Sequence, residues 1–226
     1  MKTHTNDFKN QIKTLGREIK ATITYGNTVL EEELFSITPH FEANLLKSVM
    51  KQLDIESSVS IPVDTIINCQ IGIKVNNSYE MLDYGNYIVY SVERQEDLNN
   101  YKIIAYDKML YAMKDYEELQ INYPITIANY LNAIANVLNL QVQSNSFYNA
   151  NLTIATDLYK DLGYTYRDIL DEIAEATGSI ICINSNDKIE VRYPTSTGDT
   201  INEEFLKDIN INFSEKYRTN KFYCIK

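Results

Sequence analysis

Between Arg17 and about Asp107 the chain alternates apolar and polar residues in short runs separated by turn-forming residues, the pattern of antiparallel strands. "EIKATITYG" alternates into a turn at Gly26-Asn27, and "TIINCQIGIKVNNSYEML" holds two runs split by Asn76-Asn77-Ser78. "GNYIVYSVERQEDLNNYKIIAYD" predicts a further hairpin that turns through Gln95 to Asn100. Strict alternation there puts Tyr87, Val89 and Ser91 on one face and Ile88, Tyr90 and Val92 on the other. Short strands at this spacing point to a barrel or sandwich rather than a parallel sheet. In "EANLLKSVMKQLDIESS" a helical stripe (Leu45, Leu46, Val49, Met50) overlaps an alternating one, which predicts a short helical turn passing into a strand near Met50. "KMLYAMKDY" reads as a short helix.

After Asn122 the period changes. Ile127, Tyr130, Leu131, Ile134, Ala135 and Leu138 recur at helical spacing, with Pro124 just before and Thr126 as N-cap. A second helix follows in "GYTYRDILDEIAEATG": Thr165 and Asp168 form a capping box, Ile169, Leu170, Ile173 and Ala174 make the apolar stripe, and Gly178 ends it. "SIICI", the turn "NSND" and "KIEVRY" make a hairpin. The fold class is therefore α+β: an antiparallel β-barrel-like domain, then a small α+β domain with two helices and a β-hairpin. The boundaries read as a polar N-terminal segment 1–16, a barrel-like domain 17–120, an α+β domain 121–200, and a last segment 201–226 that begins another strand. In that segment Ile209, Ile211 and Phe213 alternate with Asp208, Asn210 and Asn212, after which "RTNKFYCIK" drops the pattern.

A net charge of -10 disfavours phosphate-backbone binding over most of the surface. No run of about 18 apolar residues is present, so no membrane-spanning helix is expected. The polar start lacks the apolar stretch of a secretory signal, and synthesis and folding in a cytoplasm are expected. Cys69, Cys182 and Cys224 are far apart and lack zinc spacing; the first two lie in apolar runs where cysteine acts as a small hydrophobe. His4 and His40 are isolated in sequence. Asp168, Asp171, Glu172 and Glu175 crowd one helix opposite its apolar stripe, where a solvated face is expected rather than a carboxylate pair for acid–base work. "LEEEL" at 30–34 reads as an exposed acidic turn or strand edge, and no phosphate-cradling glycine loop or serine nucleophile motif occurs. No catalytic, cofactor-binding or metal-ligating residue is expected. The 18 Tyr follow the AT-rich codon bias also visible in Ile, Asn and Lys, and Tyr87 and Tyr130 stand at core positions.

The succession "LDYGNYIVYSVE", "YKIIAYDKMLYAM", "YPITIANYLNAIANVLNL", "GYTYRDILDEIAEATGSIICINSNDKIEVRY" and "FLKDININFSEKY" resembles the tail hub proteins of bacteriophages and prophages, the tail-tip or baseplate hub family, above all of phages of Gram-positive bacteria. The resemblance runs from about Glu18 to Tyr217. It rests on the order of Gly85-x-Tyr87-x-Val89, Tyr106-Asp107-x-Met109, Tyr123-Pro124-x-Thr126 and Tyr164-Thr165-x-Arg167-Asp168. It implies a homotrimeric, non-enzymatic virion component at the tail tip that closes the distal end of the tail tube. Two related barrel domains per subunit build the ring, and a small α+β domain lies between them. The implied partners are copies of itself, the distal tail protein, the tail tube protein and the tape-measure protein, with DNA only in transit through the lumen and no membrane. Other classes kept open are a tail-associated cell-wall hydrolase or peptidase and a host-surface carbohydrate-binding module.

In such hubs the strand matching "DININFSEKY" continues into the second barrel. One synonymous coding of "RTNKFYCIK", read one base later, gives Gly-Pro-Ile-Asn-Ser-Ile-Val-Leu-Ser, the kind of stretch that enters that barrel. The expectation is an out-of-frame segment from Arg218 to Lys226 on a truncated hub, with trimer closure impaired.

Overall fold

A computed structural model describes residues 5–14, 16–41, 44–95, 100–157, 159 and 162–193, and the statements below concern these. His4, Cys224, the alternation at Ile209, Ile211 and Phe213, and the expected out-of-frame segment lie outside the described residues.

The polar start contains a short helix, α1 (Asn6–Gln11), which buries Phe8 and is capped by Thr5, whose Oγ accepts the Phe8 N–H. Eight strands follow. They are β1 (Ile19–Tyr25), β2 (Thr28–Leu30), β3 (Leu34–Phe41), β4 (Ser48–Val49), β5 (Lys51–Ser57), β6 (Ile66–Val75), β7 (Ser78–Gln95) and β8 (Asn100–Tyr106); β1, β5, β6, β7 and β8 lie where the alternation places strands, whereas β4 falls in the stretch expected to be helical. Seven of them form an antiparallel sheet in the order β2-β1-β6-β7-β8-β5-β3. Its pairing runs from β2 to β3 without closing on itself, so the described sheet is open. Ile23, Leu53, Ile55, Ile67, Val89, Ile103 and Ala105 are fully buried on its inner face.

Two local expectations need correction. β7 carries a bulge between Val89 and Ser91 that expels Tyr90, which is 57% exposed. The bulge reverses the alternation, so Val92 packs on the same core as Tyr87 and Val89. Likewise no helical turn precedes β5. Leu45 and Leu46 sit in an exposed turn with Leu46 in the left-handed region (φ 63°), because their apolar side chains find no surface to cover there. The strand near Met50 is present.

The second half starts with a 3-10 helix at Lys108–Met113, the short helix expected from "KMLYAMKDY". It continues through β9 (Ile125–Thr126), α2 (Ile127–Val137), β10 (Gln141–Val142), β11 (Thr153–Ile154), α3 (Tyr166–Thr177), β12 (Ile180–Ile183) and β13 (Lys188–Arg192). Thr126 Oγ accepts the Asn129 N–H at 3.3 Å and caps α2. Thr165 and Asp168 form both bonds of the capping box on α3, and Gly178 closes it with φ 67°, a conformation glycine adopts without strain. The Thr165 hydroxyl and N–H, both bonded to its carboxylate, hold Asp168 below the usual carboxylate range. The stripes of α2 and α3 bury Tyr130, Leu131, Ile134, Ile169, Leu170 and Ile173 against Ile181, Ile183 and Ile189 of the hairpin. The described chain is thus α+β with mostly antiparallel sheets and two separate cores.

Candidate functional site

The chain between β3 and β5 leaves the large sheet, and its two residues in β4 pair in parallel with β12 before β5 returns. β4 thereby becomes the edge of a second sheet, ordered β10-β13-β12-β4. A two-residue strand has little pairing strength of its own, and side chains hold it. Asp171 Oδ1 accepts the Ser48 N–H at 2.6 Å and the Ser48 hydroxyl at 2.5 Å. Lys47 Nζ reaches Glu175 at 2.9 Å and Asp171 at 3.6 Å. Just beyond β4, Lys51 Nζ donates to the Ile183 carbonyl at 2.6 Å, reaching from the large sheet to the hairpin.

The acidic face of α3 is solvated in part, with Asp168 and Glu175 exposed and Asp171 and Glu172 half-buried, and it is more engaged than its sequence suggests. Asp171 and Glu175 bind the crossing strand, and Glu172 accepts the Tyr159 hydroxyl at 2.8 Å. His40 is not isolated either: its Nε2 lies 3.1 Å from Asp54 Oδ2. The 30–34 stretch is the exposed turn expected, and Glu31 pairs with Lys20 at 2.6 Å.

The hairpin β12–β13 meets the large sheet at Gly85. There φ is +98°, and a Cβ would lie 3.9 Å from the Ser185 backbone. Next to it Asp187 Oδ2 accepts from Asn86 Nδ2 at 2.8 Å and pairs with Lys108 Nζ at 2.9 Å. Asp107 lies in the same region, only 2% exposed. Its Oδ1 accepts the Met109 N–H and so caps the 3-10 helix, while its Oδ2 has no hydrogen-bond partner. Burial pushes its carboxyl up to about 6 despite the attraction of Lys51. Tyr106-Asp107-x-Met109 and Gly85-x-Tyr87-x-Val89 thus mark the capped start of the 3-10 helix and the close approach of the two sheets.

Two clefts flank the crossing strand. One, of about 630 Å³, is walled by Phe41, Met50, Tyr106 and Arg167 with Gln52 and Asp54. The other, of about 520 Å³, is mainly apolar and is lined by Val49, Tyr84, Tyr87, Ile180 and Cys182, with Lys51 and Arg192. A third hollow, of about 530 Å³, lies where the sheet fails to close, between β1 and β3, lined by Ile19, Leu34, Phe35 and Ile37. Among the described residues no strand pairs with the outer edge of β3.

Elsewhere the chemistry is quiet. Cys69 and Cys182 are buried and unbonded, and burial pushes the Cys69 thiol up to about 12, as small core hydrophobes require. Tyr116, Tyr130, Tyr159, Tyr164 and Tyr166 pack ring against ring between the 3-10 helix, α2 and α3. Among the described residues no group of three or more His, Cys, Asp and Glu could hold a metal ion. No described helix is long and apolar enough to cross a membrane.

No family model matches the chain, and no curated protein matches it in sequence. Solved structures do match. The 43 kDa tail protein of prophage MuSo2 from Shewanella oneidensis superposes with a TM-score of 0.52 at 14% identity, over 80% of this chain and 57% of that one. The tail protein of Neisseria meningitidis MC58 gives 0.51 at 12% identity, over 76% of this chain and 50% of that one. The chain has the fold of prophage tail proteins. A chain of the Francisella PdpA–VgrG complex matches too, with a TM-score of 0.50 at 13% identity, over 88% of this chain and 31% of that one. The chain spans about half the length of the two tail proteins.

Proposed function

We propose that this chain is a structural, non-enzymatic component of a phage tail tip, a baseplate hub that closes the distal end of the tail tube. One observation carries the reading. Across four-fifths of its length the chain superposes on a prophage tail protein, and its seven-stranded antiparallel sheet has outer edges that find no partner among the described residues. Exposed strand edges invite pairing, and a protein that stays soluble must cover them or use them. In this reading copies of the chain set their sheets side by side along these edges and contribute part of the barrel-like tube wall. Residues 17–120 supply the tube-type domain, and residues 121–200 the small α+β domain beside it. The distal tail protein and tail tube protein dock on one face, the tape-measure protein ends in the lumen, and DNA passes without adhering because the chain is acidic. The Francisella chain, solved within a complex of PdpA and VgrG, is consistent with a role among other assembly components.

Gold-labelled antibody against this chain is expected to decorate the tail tip of the parent particle in electron micrographs. Label on capsid, neck or tail shaft would overturn the assignment. Cross-linking of purified particles is expected to join this chain to itself and to the distal tail protein.

A further inference from the structure

The cleft of about 630 Å³ beside the crossing strand is unlike a plain packing defect. It has the volume of a small-molecule site, and charge, directional polar groups and aromatic surface converge in it. Its cations are unequally compensated. Lys47 is neutralised by Asp171 and Glu175, and His40 faces Asp54. Arg167 forms no ion pair with a described carboxylate, although Asp107 and Asp168 lie near enough to feel its charge. Its Nε donates weakly to Ser48 Oγ at 3.4 Å and one terminal nitrogen to Met113 Sδ at 3.7 Å, which leaves the rest of the guanidinium fork unengaged. Such a fork matches a carboxylate in two-point geometry.

The remaining lining decides what body the carboxylate is attached to. Phe41 is 68% exposed, and Tyr106, braced edge-on by Tyr90 at 5.4 Å, offers a second ring, so flat apolar surface borders the cleft. Asp54 and Gln52 form the polar wall, with Gln52 Nε2 donating to Asp54 Oδ1 at 2.6 Å. Asp54 would repel a bare carboxylate, but it accepts readily from hydroxyl groups. A ligand that suits all three features has a carboxylate for Arg167, hydroxyls for Asp54 and Gln52, and a C–H face for the rings. We infer that this cleft binds a carboxylate-bearing sugar, of the uronic acid type, through Arg167, Asp54, Gln52, Phe41 and Tyr106. The inference does not depend on the tail-tip reading, since a glycan site can stand on an assembly protein or apart from one.

The test is a heteronuclear NMR titration of the full chain with three probes: glucuronate, glucose and N-acetylglutamate. Glucuronate is expected to shift amide signals of Ser48, Gln52 and Tyr106 in a saturable way. Glucose lacks the carboxylate and N-acetylglutamate lacks the ring, and each is expected to bind about tenfold more weakly or worse, since a hydrogen bond to a charged group is worth about 1.5–3 kcal/mol. Arg167→Gln is expected to lower glucuronate affinity by about 10- to 100-fold, and Arg167→Lys to restore part of it. The probe comparison on the unaltered chain stands even if a variant folds poorly. No saturable shift with glucuronate, shifts that map away from the cleft, equal binding of N-acetylglutamate, or unchanged affinity in Arg167→Gln would each overturn the proposal.

Discussion

Replacing Asp107 by Asn isolates the cost of one buried acid. The carboxyl is 2% exposed, one oxygen caps the 3-10 helix and the other has no partner. Burial holds its pKa at about 6 against an ordinary value of 3.8. The folded chain therefore keeps the proton over a range in which the unfolded chain has released it. Stability is lost as pH rises from about 4 to about 6 and stays lower above that. A gap of roughly two pH units corresponds to about 3 kcal/mol at most. Asn keeps an oxygen for the Met109 N–H and cannot ionise, so the variant lacks this slope. Its amide NH2 lacks a partner and costs about 1–2 kcal/mol, but equally at every pH. Urea denaturation of both proteins from pH 4 to pH 7.5 gives the difference in stability at each pH, in which the other carboxylates cancel. That difference is expected to move by about 2 kcal/mol in favour of the variant across the range, since the unfolded acid is already partly ionised at pH 4. Parallel curves would show that Asp107 titrates like an exposed acid, and the reasoning from burial would fail.

Other substitutions probe the crossing strand and the second core. Asp171→Ala leaves the Ser48 N–H and hydroxyl without their acceptor and is expected to cost about 2–3 kcal/mol in urea denaturation, with early amide exchange at Ser48 and Val49. Ile173→Ala, at a position 3% exposed, is expected to cost about 2–5 kcal/mol by the same measurement. Glu172→Ala reads from sequence as nearly neutral, but its bond to Tyr159 raises the expected cost to about 1–2 kcal/mol. In a Tyr159→Phe background that cost should fall to a few tenths, which a double-mutant cycle measures.

The sequence is most informative where the interactions are local. The hairpin turns, the Thr126 cap and the Thr165–Asp168 box depend on groups within a few residues of each other, so spacing alone exposes them. The Tyr90 bulge is invisible because alternation carries no mark of the residue that drops out of register. The crossing strand fails differently. Ser48 and Asp171 are 123 residues apart, and nothing at either position announces the other. For the same reason the α3 carboxylates look solvated until β4 is laid beside them. The candidate cleft combines residues from β3, β5, β8 and α3, and its distinguishing feature, an arginine that forms no ion pair with a described carboxylate, is a statement about distance that composition cannot make.

The excursion of β4 also sets an order of events during synthesis. Ser48 and Val49 emerge from the ribosome early, but Ile181 and Cys182, their partners, are made more than 130 residues later. The β3–β5 pairing and the rest of the large sheet can form before then, whereas Ser48 and Val49 must wait for their partner strand. A nascent chain arrested before Ile180 can therefore carry the whole large sheet, with only β4, beside the β3 edge, still lacking its partner strand. Closing so long a loop is slow relative to pairing neighbouring strands, so docking of β4 is expected to be a late folding step and the point at which the two halves first become one cooperative structure.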